Sequence, residues 1–344
     1  MHFFKTALTA CAVAALHSDI TVATAAPDQI YLAQTSVLGD EILRADPSGD
    51  NAETILAGPE VDAPVAVTVN RVDGKVYWAQ RVAFEDKILR ADLNGGDVET
   101  LLTWPAVTDP TAIAVDRAGG KLYWAQEVPL ENHRILRADL NGDKLETIVV
   151  WPDVTDPVAI ALDTVRGKIC WAQATVLDDK ILCADLDGEN VETILTWPDV
   201  KEPVAIAINA VAGTIYWAQA LAFDDQILRV DPDGKNMEVV VLWPEVYDPV
   251  GLVVDPIGGM MYWSQMFDDR IRQADLNGDN VETILAWPVV DDSVGIALDL
   301  PLEASDIPTV SEWGLIAMAA LLFSAGAYIV IRRSELRSRT SPTR

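Results

Sequence analysis

Beyond its first 26 residues the chain holds one histidine, His133, and two cysteines, Cys170 and Cys183. These are the residues best suited to proton transfer or nucleophilic attack near neutral pH, and either role needs a partner held beside the reacting group. His133 stands in a loop one residue longer than its counterparts elsewhere in the sequence, where a solvated surface side chain is expected. The cysteines replace a tyrosine and an arginine at equivalent positions of a repeat. Two antiparallel strands would bring them close enough to form a disulfide in an oxidising compartment, and two free thiols is the other reading. A thiol active site lacks a histidine partner. No catalytic residue is assigned.

Carboxylates are more informative because they recur. One set comprises Asp40, Glu85, Asp86, Glu131, Asp178, Asp179, Asp224, Asp225, Asp268 and Asp269; a second comprises Asp109, Asp156, Glu202, Asp248 and Asp292. The first set lies between the second and third strand-like runs of each repeat and the second in the connections to the next repeat. In an up-and-down arrangement both therefore emerge at one end and form an acidic rim. That rim is either a solvated, solubilising surface or a docking face for a cationic protein or polymer, with calcium as a conceivable bridge. Asp275-Leu276-Asn277-Gly278-Asp279 looks like the opening of a calcium loop, but it lacks the glycine and final glutamate at EF-hand spacing and reads better as a hairpin turn. No cofactor is assigned, and calcium is the one ion considered.

The elements that would position these groups are repeated. Tyr77-Trp78-Ala79-Gln80 recurs as Tyr123-Trp124-Ala125-Gln126, Cys170-Trp171-Ala172-Gln173, Tyr216-Trp217-Ala218-Gln219 and Tyr262-Trp263-Ser264-Gln265, with Tyr31-Leu32-Ala33-Gln34 as a degenerate first copy. The intervals are 46, 46, 47, 46 and 46 residues, in the range of propeller blades. Each unit reads as four strands: an aliphatic run such as Thr111 to Asp116, the Tyr-Trp run, a run such as Arg134 to Asp139, and a run such as Leu145 to Val149 after an Asn-Gly turn. None has helical spacing or length. A four-stranded unit with two apolar faces needs neighbours on both sides, and radial closure supplies them. The predicted fold class is all-β, a six-bladed β-propeller with four antiparallel strands per blade. The chain enters at a second strand, Gln29 to Gln34, and ends with an unpaired first strand, Val294 to Asp299, so the two should pair in blade one. Trp-Pro follows the fourth strand in five copies, and Trp104, Trp151, Trp197, Trp243 and Trp287 are predicted to be wedges packed between blades.

Charge excludes one class of partner. The formal net charge is -28, from 53 acidic and 25 basic residues, which repels nucleic acid. The ends differ from the middle. Lys5, the apolar stretch Ala7 to Leu16 and Ala23-Thr24-Ala25 have the form of a signal peptide cut after Ala25. Trp313 to Ile331 is apolar, uncharged and close to the length of a membrane-spanning helix, and Arg332 and Arg333 follow it as a cytoplasmic stop. The expected organisation is a signal peptide at 1–25, a propeller at 26–300, a linker and the start of a tail motif at 301–312, a transmembrane helix at 313–331 and a basic cytoplasmic tail at 332–344.

The Tyr-Trp pairs at 77–78, 123–124, 216–217 and 262–263 and the Ala-Asp-x-x-Gly turns at 91–95, 138–142, 184–188 and 274–278 resemble the YWTD propeller, the low-density lipoprotein receptor class B repeat, over roughly residues 27 to 300. Ala-Gln stands where that family has Thr-Asp, so the contacts of the family's aspartate do not transfer. Ile307, Pro308, Thr309, Trp313 and Gly314, with Arg332 and Arg333 downstream, resemble the bacterial IPTL-type C-terminal sorting signal, with Val310 in place of its leucine. This second resemblance implies export, at least temporary membrane anchoring, and handling by an exosortase-like enzyme. The expected protein is a non-catalytic, cell-surface or envelope-associated propeller that binds a protein or other ligand. The alternatives are a metal-dependent propeller hydrolase of the lactonase class, which would need acidic or amide side chains converging on the central channel, and an architectural surface protein without a dedicated ligand.

Overall fold

The computed structural model describes residues 29–36, 39–128, 132–176, 178–222 and 224–300. They form six four-stranded antiparallel sheets, each built from strands consecutive in sequence except the first blade, which is ordered so that the last strand of the chain precedes the first three. In blade four, for example, Pro157–Asp163, Lys168–Gln173, Lys180–Asp185 and Glu192–Thr196 run from the inside of the ring outwards. Blade one closes the ring: Ser293–Leu298 pairs with Ile30–Gln34 in the register Ile30↔Leu298, Leu32↔Ile296 and Gln34↔Ser293.

The expected fold class needs one correction. Its propeller part stands, but the transmembrane-type helix does not belong in it: among the described residues no helix is long and apolar enough to cross a membrane. The one helical segment there is a 3-10 turn, Gly58–Glu60. The Pro- and Gly-punctuated runs of five to seven residues pair with adjacent strands of their sheets, which leaves no stretch of helical length among them. Residues 301–344, including the span expected at 313–331, and residues 1–28 lie outside the described residues.

Each blade is held to its neighbour by side chains of the second strand. Trp78, Trp124, Trp171, Trp217 and Trp263 are completely buried, and each packs into the preceding blade. Trp217, for instance, lies with Ile181, Leu195 and the two cysteines of blade four. Leu32 takes this place at the closure, against Tyr262 and Ile271 of blade six. The glutamine that follows two residues later ties the strand to the adjacent connection, through the tryptophan in three blades and by donating to the Glu60 or Tyr247 carbonyl from Gln80 and Gln265. Gln126, Gln173 and Gln219 accept the indole N–H of Trp124, Trp171 and Trp217 at 3.0–3.2 Å. The same oxygens accept the backbone N–H of Thr108, Thr155 and Lys201 in the connection from the preceding blade. A neutral amide does this in a buried site without the desolvation cost of a carboxylate.

A second stitch runs from the third strand. Arg44, Arg90, Arg137 and Arg229 each donate to the carbonyl of Leu93, Leu140, Leu186 or Leu276 in the following blade. Tyr31, Tyr123 and Tyr216 donate to the same carbonyls as Arg44, Arg137 and Arg229, respectively. Blade four has neither residue. Cys170 and Cys183 stand directly opposite each other there and are joined by a disulfide. Blade six carries Gln273 at the arginine position. In both cases the following blade has Asp-Pro instead of Asp-Leu, at Asp231-Pro232 and Asp46-Pro47.

Candidate functional site

The loops between second and third strands and the connections from fourth strand to next blade emerge at the same end of the ring. The backbone N–H of Trp104, Trp197, Trp243 and Trp287, just beyond the fourth strand, donates to the carbonyl of Asp86, Asp179, Asp225 and Asp269, just before the third. This end therefore gathers the acidic residues predicted from sequence that are described, and among the described residues its loops carry 21 Asp/Glu against two basic residues, Arg81 and Lys201.

The rim is not one uniform surface. Asp86, Asp179 and Asp225 are buried, and their carboxylates accept the backbone N–H of Asp109, Glu202 and Asp248 at 2.7–2.8 Å. Half-buried Asp40 and Asp269 hold Ala63 and Asp292 in the same way. All five acceptors hold a connection whose residue has positive φ, between 42° and 48°, so these aspartates are internal clamps. The outer residues Glu85, Asp178, Glu202 and Asp224 are exposed, while Asp109, Asp156, Asp248 and Asp268 are half-buried. Arg81 pairs with Asp109, Lys180 with Asp178 and Arg270 with Asp268. Burial pushes the Asp248 carboxyl up, with the Asp225 charge adding to it, and burial likewise raises Asp268. Glu131 lies outside the described residues.

His133 occupies the clamp position of blade three. It is buried rather than solvated, with Nε2 3.3 Å from an oxygen of Asp156. A loop position alone implies a solvated side chain, but His133 immediately precedes the third strand, where the other blades have aspartate.

The tryptophan expectation also requires correction. Trp104, Trp151, Trp197, Trp243 and Trp287 are 46, 45, 49, 48 and 70% exposed, so they are not wedges between blades. They follow the outermost strand, beyond which no neighbouring sheet exists to cover a ring. The wedge role belongs to the second-strand tryptophans. Sequence reading also missed the apolar loop tips: Phe84, Val176 and Phe267 are 79, 95 and 70% exposed. Phe84 stands edge-on to Trp104, with centroids 6.2 Å apart. The available signal was an apolar residue immediately before or close to each acidic pair, as in Phe84-Glu85-Asp86 and Phe267-Asp268-Asp269. Exposed aromatic rings interleaved with carboxylates can stack on a ligand and attract positive charge.

Three carboxylates, Asp269 of blade six and Asp291 and Asp292 of the closing connection, have oxygens within 4.8 Å of one another. The central channel has a different chemistry. Its cavity of about 250 Å³ is lined mainly by Val, Ile, Leu and Ala from the six first strands, with Arg117 bonded to the Leu300 carbonyl at one end. The converging acidic or amide side chains that a lactonase-type metal centre requires are not among these lining residues.

Residues 307–333 match the family described as the IPTL-CTERM motif. No curated protein matches the sequence at a significant level. Among solved structures, the chain is similar to one in the crystal structure of a nidogen/laminin complex, with 21% identity, a TM-score of 0.68 and coverage of 80% of this chain and 99% of that one. It is also similar to TolB from Acinetobacter baumannii, with 12% identity, a TM-score of 0.64 and coverage of 79% and 67%. A putative TolB from Agrobacterium tumefaciens gives 13%, 0.57, 75% and 88%. At these identities the likeness is one of fold. The chain is a six-bladed β-propeller with a C-terminal IPTL-CTERM sorting motif. It is an exported protein anchored in the bacterial cell envelope, as that motif marks it.

Proposed function

We propose that this envelope-associated propeller is a non-catalytic interaction module whose loop-bearing end receives a cationic protein or polymer segment. The observation that carries this reading is the coincidence, on one end of the ring, of five exposed tryptophans with the acidic loops. Aromatic faces and negative potential favour the same ligand, one that presents amines or guanidinium groups on a partly apolar backbone. The similar fold found in a nidogen/laminin complex supports a propeller serving as a protein-binding surface. The finer assignment, a divergent YWTD propeller, is supported by the buried Tyr-Trp pairs of the second strands. Maturation in this reading removes residues 1–25, and an exosortase-like enzyme handles the tail through Ile307, Pro308, Thr309, Trp313, Gly314, Arg332 and Arg333. Calcium is the ion that the oxygen donors Asp269, Asp291 and Asp292 would suit, linking the closing connection to blade six.

The test is binding of fluorescent oligolysine and oligoglutamate to the full-length chain at rising salt. Oligolysine should bind and weaken with salt, and a variant with Glu85, Asp178, Asp224 and Asp268 changed to amides should bind it at least several-fold more weakly. Equal binding of both peptides, or an unaffected variant, contradicts the reading.

A further inference from the structure

Among the described residues, the repeated loops enclose a cleft at this end, between blades four and five. It has a volume of about 370 Å³ and is walled by Thr175 and Val176 from one loop and Leu221 from the next, with Trp197 and Glu202 from the intervening connection. Asp179 lies in its floor, buried, with one oxygen accepting the Thr175 N–H at 2.8 Å and the other the Glu202 N–H at 2.7 Å. Each oxygen is held by one backbone N–H, so the carboxylate is fixed in place beneath the cleft. Glu202 is exposed and held at φ +42° by that clamp, so a carboxylate stands at the mouth in a defined backbone setting. Lys201 also reaches the cleft and opposes only one of these two charges.

We propose that this cleft is a subsite for a single lysine or arginine side chain of a cationic polypeptide segment lying across the acidic end. The proposal rests on the docking reading above and deepens it. Trp197 is about half exposed, and an indole face is the best aromatic partner for a cation. Val176 and Leu221 offer apolar walls to the alkyl stem, which long cationic side chains cover readily while the charged head stays among polar groups. Glu202 completes the site as the charged partner at the mouth. An anionic ligand meets repulsion here from Asp179 and Glu202, and a neutral sugar gains stacking but leaves the charge uncompensated. The subsite lies at the outer edge of the ring, since Trp197 follows the outermost strand of blade four, and not at the mouth of the channel.

The experiment is a titration of the full-length chain with a ten-residue oligolysine peptide, followed by peptide anisotropy. Trp197→Ala is expected to weaken binding roughly three- to tenfold, the scale of one cation–π contact, and Trp197→Phe to retain most of the affinity. Glu202→Gln is expected to weaken binding several-fold and to reduce its salt dependence. Unchanged thermal midpoints show that the variants fold. If oligolysine binds with the same affinity to Trp197→Ala and Glu202→Gln, the cleft proposal is overturned while the acidic-end reading stands. Failure of oligolysine to bind at all overturns both. A neutral oligosaccharide that displaces the peptide from the wild-type chain but does not bind Trp197→Ala assigns the cleft to sugars and overturns the proposal.

Discussion

Residues of one type do two different jobs in this protein, and burial separates them. In Asp178-Asp179 the first carboxylate is exposed and salt-bridged to Lys180, whereas the second holds two backbone N–H groups in a buried site. Asp179→Ala is expected to cost about 1–3 kcal/mol in urea denaturation because it strands those donors, while Asp178→Asn should change stability by less than about 0.5 kcal/mol. The sequence showed that acidic residues recur in pairs, but not that the second member faces inwards. That becomes visible only when the connection 23 residues later folds back onto it. The tyrosines give a pH signature. Burial pushes the Tyr262 hydroxyl up to about 12, with the Asp255 charge adding to the effect. Tyr31, Tyr77 and Tyr123 are raised in the same direction, again chiefly by burial. A raised folded-state value favours the neutral form, so this stability is intact below the ordinary tyrosine value near 10 and is lost as pH rises through the shifted values. Absorbance of ionised tyrosine should therefore rise above pH 10 in step with loss of the β-sheet circular dichroism. Full ionisation before unfolding would contradict the buried placement.

At the scale of elements, the Asp-x-x-Gly turn has a packing reason that its hairpin signature did not disclose. Gly188 has φ +86°, and a Cβ there would lie 2.0 Å from the carbonyl oxygen of Ile148 on the fourth strand of the preceding blade. The glycine is thus the point where one blade's turn rests on its neighbour's backbone. Gly188→Ala should cost about 2–4 kcal/mol by combining overpacking with backbone strain. Gly120→Ala is the control: φ is +64° but no atom lies within 4 Å of the added carbon, so only the strain, about 1 kcal/mol, is expected. Thermal unfolding of the two variants separates the effects. The strand pattern and the four-strand unit were legible in the sequence because alternation and turn residues are local signals. The two sets of tryptophans were not distinguished. Both are large, repeated and next to strands, and only the order of strands from the inside of the ring outwards decides which set meets a neighbour.

The whole molecule was legible where repetition and register were enough: six Tyr-Trp-type segments gave six blades, and an orphan first strand at the end of the run gave the closure. Removing residues 293–298 should leave Ile30–Gln34 with an open edge and expose Leu32, which packs into blade six. Denaturant unfolding should then lose its single cooperative transition, and retention of a wild-type transition would contradict closure through blade one. The acidic rim was legible as well, since alternating strand direction puts both loop classes at one end; the exposed aromatics among those carboxylates were not, because their exposure depends on lying beyond the outermost strand. The central claim, that the loop end is the docking face, is tested most directly by hydrogen exchange of the full-length chain with and without oligolysine. Protection is expected in residues 81–86, 174–176, 197–202 and 243–248, with the opposite-end turns at 93–98, 140–145 and 186–191 unchanged. Protection confined to those opposite turns, or to the channel-lining strands, would contradict it.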